Sequence, residues 1–567
     1  MNDCELAGPV TSSSSTTSRV PMVSSRDSQD VSGLSRLVSW AHLEARRVAA
    51  CCALSVFMAA ASIAGASAPA PRRPSSRIQV PPFPISTPEE QGMDSDALAD
   101  AVEELVDTRH DFRPHRVIVI RHGHAVLDVS FFPFSGGVRH DISSAGKVIT
   151  CTLIGIAIDK GFIGSVDDTV LSYFPDREIA NRDARKEAIT IAHLLAQRSG
   201  LDLDRDVMEA VMTDCPDRVQ CILDRPMVSE PGGAYYYSNH NPHLAAAILT
   251  QATGMTPLEF AEEHLLGPMG FSRVDWKADD QGVNEGGGGQ VLLPTDFAKL
   301  GALYLSGGEW RDTQIVSAGW VAMSLTPYPG PPVPNWPPEV APGFHWAVFT
   351  DIGVMEAAGS AGQIVRIEPD NDLILAVVAG GGPGYSTCNN NGALLQWLAP
   401  RVSEAILSWS ALAANPEGVA RLISLAEAAA LADPGSLGPV TPLPPIAHTI
   451  SGRRFALEAN PLDLEWFSLT FPGGSEAVLG YRDPEATVSV RMGLDNVYRV
   501  SPGKDNLPFA AKGRWADDGR FVGVLDQVPL YTTYETDFQF EDDQVTVTVL
   551  ETGCGDSAAT LVGHLEP

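Results

Sequence analysis

Basic residues are scarce in this chain: 39 Lys and Arg stand against 70 Asp and Glu, a formal net charge of −31 over 567 residues. Phosphate contacts need clustered cations, so nucleic-acid binding is excluded, and the acidic excess reads as a solvated surface. Cysteine is sparse too, with eight residues and no Cys-x-x-Cys unit, which excludes a thiolate zinc site. The chain has no His-Glu-x-x-His, so a metalloenzyme of that kind is excluded. It also lacks a Gly-x-Ser-x-Gly elbow, because Ile142 stands where the first glycine would precede Ser144, and this removes the α/β-hydrolase reading. The glycine run Gly286–Gly289 is not followed by Gly-Lys-Ser/Thr, so it is no phosphate cradle; it reads as a tight backbone approach beside a cleft. No cofactor and no metal is expected. With 44% hydrophobic and 19% charged residues, wholesale disorder is excluded and two or three domains can form.

The first 45 residues or so are rich in Ser and Thr without apolar period. Arg46-Arg47 then precede an apolar stretch at 48–68 that ends in Ala66-Ser67-Ala68. A basic flank, an apolar centre and small residues at a cleavage position are the parts of a secretory signal; an uncleaved membrane anchor at 48–68 is the alternative. The expected location is therefore secreted or cell-envelope. Cys215 and Cys221 are close enough to bridge a short loop in an oxidising compartment, and two unrelated thiols is the competing reading. The proline-rich stretch from Pro69 to Pro84 is a linker.

The expected division is a disordered N-terminus over 1–75, a main domain over 76–412, a helical segment and Pro/Gly linker over 413–447, and an all-β domain over 448–567. In the main domain, Asp94 or Ser95 caps a helix with Leu98, Val102, Leu105 and Val106 as its apolar stripe. Arg116–Ile120 and Val126–Val129 form two strands joined through His122-Gly123-His124, a solvated turn rather than a metal pair. Thr190–Gln197, the segment from Thr256-Pro257, Asp296–Leu305, Ala318–Leu325, Asn391–Ser410 and Pro416–Ala432 read as helices. Pro327–Pro342 is a surface loop at a cleft rim. From Ile450 onward the chain alternates in strand fashion, with Asp518-Gly519 as a two-residue hairpin turn.

Three anchors carry chemistry. Ser144-Ala145-Gly146-Lys147 leads into the apolar run from Val148 to Ile158. A helix opening at Ser144 puts the serine and Lys147 on one face. A serine hydroxyl needs a neighbouring base, and a lysine serves as one only when burial lowers its pKa. Tyr237 and Asn239, after the Pro231-Gly232 turn, can both point into one cleft; the phenol can relay a proton and the amide can hold lysine and substrate. Ala358-Gly359-Ser360-Ala361-Gly362-Gln363 opens a hairpin with small residues, where backbone N–H groups can hold an oxyanion. His240 and His243 lack a third ligand and read as structural.

In that order, Ser144-x-x-Lys147, Tyr237-x-Asn239 and Ser360-Ala361-Gly362 resemble the serine β-lactamase and penicillin-binding-protein superfamily, and more closely its β-lactamase-like serine hydrolase branch of esterases, D-amino-acid peptidases and nylon-oligomer hydrolases. Ile156–Gly161, His193-Leu194-Leu195 and Leu305–Gly308 share the likeness, which spans roughly residues 80 to 410. The resemblance implies an α+β fold, an antiparallel sheet flanked by helices beside an all-helical subdomain; the small all-β domain read from the alternation after Ile450 follows it. It implies that Ser144 forms an acyl-enzyme, that Lys147 and Tyr237 share base and acid work, and that Asn239 orients lysine and substrate. The N–H groups of Ser144 and Gln363 would form the oxyanion hole, with Ser360 and Gly362 lining it. Where the family carries a cation in the third motif, this chain has Ser360, so a neutral ester or amide is expected as the small-molecule substrate. Gly146, where a hydroxyl residue is usual, is not a reacting group and is expected not to matter. The alternatives are a D-alanyl-D-alanine carboxypeptidase or β-lactamase, and a non-catalytic envelope binding protein of the same fold.

Overall fold

The computed structural model describes residues 82–567 apart from 109–111, 205–206, 209–214, 382–392, 504–506, 531 and 553–556. The apolar stretch at 48–68 lies outside the described residues. Among those described, no helix is long and apolar enough to cross a membrane.

The main domain is built on a seven-stranded sheet. Helix α1 (Ser95–Asp107) is capped by the Asp94 carboxylate, which accepts from the Asp96 and Ala97 amides. Strands β1 (Pro114–Arg121) and β2 (His124–Ser130) follow, turning through His122 and Gly123, both at positive φ. Helices α2 (Lys147–Asp159), α3 (His240–Thr253) and α4 (Pro294–Leu305) come next. Strands β3 (Val340–Pro342), β4 (Ala347–Phe349), β5 (Val354–Gly359), β6 (Gln363–Glu368) and β7 (Leu373–Ala379) complete the sheet, in the spatial order β2-β1-β7-β6-β5-β4-β3. Every pairing in it is antiparallel.

Every residue of β1 is buried because both sheet faces are covered. Val117 and Val119 pack with Leu98, Val102 and Leu105 of α1 and with α5 (Ala393–Glu404) and α6 (Pro416–Ala429). Ile118 and Ile120, one pleat over, join Phe297, Leu300 and Leu303 of α4 and the apolar body of α2. Helix α6 therefore belongs to the main domain: Leu422 and Ala429 sit in the core beside α1, and Ala429 O accepts from Phe132 N at 2.9 Å.

The C-terminal strands form a barrel-like sheet. They are β8 (Arg454–Leu457), β9 (Trp466–Gly473), β10 (Glu476–Arg482), β11 (Thr487–Gly493), β12 (Arg499–Ser501), β13 (Phe509–Trp515), β14 (Phe521–Gln527), β15 (Thr532–Glu541), β16 (Gln544–Thr552) and β17 (Ala558–Leu565). An extra β11–β13 pairing, Gly493 with Lys512, curls the sheet back on itself. The β13–β14 turn is one residue longer than the sequence suggested. Ala516 N donates to Arg520 O at 2.8 Å, so three residues span it and Gly519 takes the left-handed position at φ 85°.

The two domains meet directly behind the strand that precedes Ser144. Arg113, part-exposed, and the buried Asp526 make an ion pair at 2.5 Å, and Phe134 packs with Ala510 and Val528. Phe134 also stacks on His115, whose Nδ1 lies 2.9 Å from His140 Nε2, while His140 Nδ1 lies 2.7 Å from Asp141 O. A carbonyl only accepts, so His140 carries its proton on Nδ1 and takes a hydrogen bond from His115 Nδ1–H. Burial keeps both rings neutral, holding His140 at about 4. His240, also through burial, is held at about 4. Between about pH 6.5 and 4 the unfolded chain binds protons at these histidines that the folded chain refuses, so stability falls as pH falls. Asp141, pushed by burial up to about 6, acts in the opposite sense and offsets one group. We therefore expect the Tm to drop progressively from pH 6.5 to 4.5 in a melting series; a Tm that holds or rises with acid contradicts it.

Candidate active site

The apolar run after Lys147 folds as α2 because almost every side chain from Lys147 to Ala157 is buried. The helix opens at Lys147, not at Ser144. Residues Ser143–Gly146 form a 3-10 turn, with Ser143 at φ 50° and its N–H held by Asp141 Oδ1 at 2.6 Å. With three residues per turn, this conformation puts Ser144 and Lys147 on one side, and Ser144 stays part-exposed while Lys147 is buried.

Lys147 Nζ donates to Tyr237 Oη at 2.8 Å, Asn239 Oδ1 at 2.7 Å and Gly287 O at 2.7 Å. Burial lowers its pKa, while Tyr237 and Glu285 act to raise it. The first and second anchors, 90 residues apart in sequence, thus meet at one nitrogen. The glycine run lies where the sequence placed it, beside the cleft: Gly286 O takes the Thr150 hydroxyl at 2.9 Å, and a Cβ on Gly287 would meet the Asn239 side chain at 2.8 Å.

The Tyr-x-Asn loop is held from behind by residues the sequence did not single out. Gln197 Nε2 donates to Ser238 O, and its Oε1 accepts from Ser238 N and Asn241 Nδ2. Arg198, buried, donates to Gly233 O and Pro331 O, tying this loop to the proline-rich rim. Of the three tyrosines, Tyr235 packs against Trp336 and Tyr236 donates to Asp204, leaving Tyr237 half-exposed over Lys147. Gln197 itself takes a left-handed backbone (φ 59°), and no local sequence pattern announces this clamp. His243 is paired with Asp279 at 2.9 Å. Among the described residues no cluster of three His, Cys, Asp or Glu is placed to hold a metal.

The third anchor is brought in by its earlier half. Gly359, the last residue of β5, lies against the Ile142–Ala145 backbone, and Ser360 N donates to Ser143 Oγ at 3.2 Å. Gly362 lies in the hairpin bend at φ 91°, facing Ala379. Gln363 pairs with Gly359, is fully buried, and spends its amide on Ala379 O and Ser360 O. The backbone N–H that reaches the Ser143–Ser144 turn is that of Ser360, bonded to Ser143 Oγ, and Gln363 locks the hairpin from below. The expectation placed the Gln363 N–H here; the N–H that meets this turn is that of Ser360, three residues earlier.

Gly146 matters sterically, contrary to its reading as a bystander. A Cβ there would lie 1.7 Å from Oε1 of Gln290, which is itself fully buried. Gly146→Thr is expected to destabilise the protein by about 1–3 kcal/mol through overpacking and to lower activity. Adding Gln290→Ala should recover part of both, so the double variant is better than the two single losses summed. Melting curves and ester turnover for the four proteins test this, and a Gly146→Thr protein with unchanged Tm contradicts it.

Cys215 and Cys221 are joined in a disulfide with Cα atoms 6.5 Å apart, and Cys151 is free and buried.

The family model described as Beta-lactamase matches residues 98–394. Among curated proteins, the 6-aminohexanoate-dimer hydrolase of Paenarthrobacter ureafaciens is 22% identical over 312 residues, covering 51% of this chain and 78% of that protein. The monacolin J acid methylbutanoyltransferase of Aspergillus terreus is 26% identical over 156 residues, 24% of this chain and 37% of the relative. Among solved structures, a putative 6-aminohexanoate-dimer hydrolase from Bacillus anthracis aligns with a TM-score of 0.45 at 15% identity, covering 57% of this chain and 87% of that one.

Proposed function

The chain belongs to the β-lactamase family, and from that premise we propose that it is a serine hydrolase cleaving uncharged esters or short amides through an acyl-enzyme on Ser144. The observation that carries this is the buried Lys147 amine, one turn from Ser144 and hydrogen-bonded to Tyr237, Asn239 and Gly287. A binding protein has no use for a desolvated lysine beside a serine. A base does, because desolvation favours its neutral form.

In this reading Ser144 Oγ attacks the carbonyl carbon, and its proton passes to the Lys147–Tyr237 pair. The amine and phenol are hydrogen-bonded at 2.8 Å, so a proton can pass between them and the base and acid work belongs to the pair. The tetrahedral oxyanion lies at the N–H groups of Ser144 and Ser360, the latter turning to it from Ser143 Oγ, which it meets at 3.2 Å. Collapse breaks the bond to the leaving oxygen or nitrogen, which takes the proton back from the pair. Water then attacks the acyl-serine, gives a proton to the pair, and releases the acid as Ser144 recovers its hydrogen. Asn239 holds the lysine in place.

The third motif, Ser360-Ala361-Gly362 within Ala358 to Gln363, contains no cation, which favours a neutral substrate over an anionic β-lactam or D-alanyl peptide. The basic-flanked apolar stretch at 48–68 and the Cys215–Cys221 bridge support an exported protein. The test is full-length protein with a fluorophosphonate probe, p-nitrophenyl esters, p-nitroanilides and a chromogenic cephalosporin, beside Ser144→Ala. Labelling and ester or anilide turnover that vanish in the variant, with little cephalosporin cleavage, are expected. Absence of labelling and turnover in the parent protein would replace this reading by that of a binding protein.

A further inference from the structure

The glycine run beside the cleft folds as a turn, and a single side chain holds it. Gly288 N donates to Glu285 O at 3.3 Å, so Glu285-Gly286-Gly287-Gly288 closes on itself. Its central carbonyls face α2: Gly286 O takes the Thr150 hydroxyl at 2.9 Å, and Gly287 O takes the Lys147 amine at 2.7 Å. The absence of side chains lets it lie flush on the site. A Cβ on Gly286 would be 2.0 Å from Pro242 O of α3, and one on Gly288 would be 2.7 Å from Ser143 O in the nucleophile turn. The turn thus touches the serine turn, the lysine and the helix that follows the tyrosine loop, and Glu285 is its one residue with a side chain.

Glu285 is fixed at both backbone and side chain. Its N–H donates to Lys277 O at 2.8 Å, its carbonyl takes the Trp276 indole N–H at 2.9 Å, and its carboxylate is ion-paired with Arg218. Arg218 opens the short helix Arg218–Leu223, which the Asp217 carboxylate caps and the Cys215–Cys221 disulfide brackets. A stapled element therefore delivers the guanidinium. Burial works to raise the Glu285 carboxyl, but Arg218, His243 and Lys277 more than offset it, so the group is ionised. His240, kept neutral by burial, lies near both members of the pair, and His243 is itself paired with Asp279. On the far side of the turn, Lys147 faces Tyr237, Glu285 and His345, whose ring burial keeps neutral.

We propose that Glu285, paired with Arg218, is a positioning residue of the Ser144 site: it fixes the glycine turn on which Lys147 rests, and the pair presents the lysine with a balanced charge instead of a bare carboxylate. This rests on the serine-hydrolase reading above. Both residues act through Lys147 and not on the substrate. A carboxylate favours the nearby ammonium and an unpartnered guanidinium disfavours it. Removing Glu285 should therefore shift the lysine one way, and removing Arg218 should shift it the other. A merely structural pair would lower activity without moving the titration in opposite senses.

The test measures kcat against pH, from 6 to 10 on a p-nitrophenyl ester, for the parent, Glu285→Gln, Arg218→Gln and the double variant. Glu285→Gln keeps the side-chain shape and an oxygen for Arg218, and the double variant leaves no unpaired charge. Both should keep the parent's near-ultraviolet circular dichroism. The ascending limb should move down by about half a pH unit or more in Glu285→Gln and up by about as much in Arg218→Gln, with the double variant within about 0.3 unit of the parent. KM should stay within about twofold throughout, while the kcat plateau falls about three- to tenfold in the single variants as the Gly287 carbonyl loosens. Limbs that move less than about 0.2 unit, or in the same direction in both single variants, overturn the proposal. Fluorophosphonate labelling of Ser144 separates the two readings. Labelling in the parent with unmoved limbs sinks only the Glu285 role, whereas no labelling and no turnover in the parent sinks the hydrolase reading and this role with it.

Discussion

Lys147→Met is expected to lower kcat by about a thousandfold or more while leaving the fold intact, because it removes the proton acceptor for Ser144 without emptying its buried slot. Two stability effects oppose each other. The desolvated amine is costly to bury, and methionine relieves that cost. The buried Gly287 oxygen loses its donor, and an unpaired buried acceptor costs about 1–3 kcal/mol, while the exposed Asn239 amide can turn to water. The Tm should consequently change little compared with activity. The pH profile adds an independent reading. The pair must hold a vacant proton site to act as base, so parent activity should climb with pH through the lowered lysine pKa, and that ascending limb should vanish in the variant. Steady-state ester hydrolysis from pH 6 to 10 measures both; a Lys147→Met enzyme within about tenfold of the parent, with the limb intact, would mean another group is the base.

Gly359→Ala is expected to lower kcat by about 10²–10³. The added Cβ would lie 2.6 Å from Ile142 O and 2.9 Å from the amide nitrogens of both Ser144 and Ala145. These are backbone atoms at the nucleophile itself, so no side chain can swing aside; β5 must retreat, taking the Ser360 N–H with it. A donor misplaced by about an ångström forfeits most of its worth at the oxyanion. The rest of the fold should survive, since β5 remains laddered to β4 and β6. Ala358→Ser is the control, because Ala358 is exposed one residue earlier. Acylation rates measured in single turnover, beside near-ultraviolet circular dichroism, decide it. A Gly359→Ala enzyme with more than about a third of parent activity would show that this contact does not set the oxyanion geometry.

The ion pair Arg113–Asp526 and the packing of Phe134 on Ala510 and Val528 give the C-terminal barrel a structural bearing on the site. They brace the His115–His140 pair, and His140 precedes Asp141, which holds the Ser143 amide. Composition alone showed only that this domain alternates like strands and carries no polar constellation of its own.

Local rules made the elements legible. The alternation at 116–129 gave β1 and β2, Asp94 gave the start of α1, and the all-round apolar run after Lys147 gave a buried helix. The four residues Ser144, Lys147, Tyr237 and Asn239 were legible because each has a chemically distinctive type at short fixed spacing. Contacts made across the fold were not legible. That Gln290 fills the space over Gly146, that the Ser360 N–H meets Ser143 Oγ, and that Gln197 clamps the tyrosine loop all depend on atoms brought together over tens to hundreds of residues. Sequence spacing encodes a side chain's direction within one helix or strand, and it determined the fold class and the candidate groups of the site. Only the tertiary structure, where sheet register and helix packing fix which surfaces touch, decided how those groups are supported and where the cleft ends.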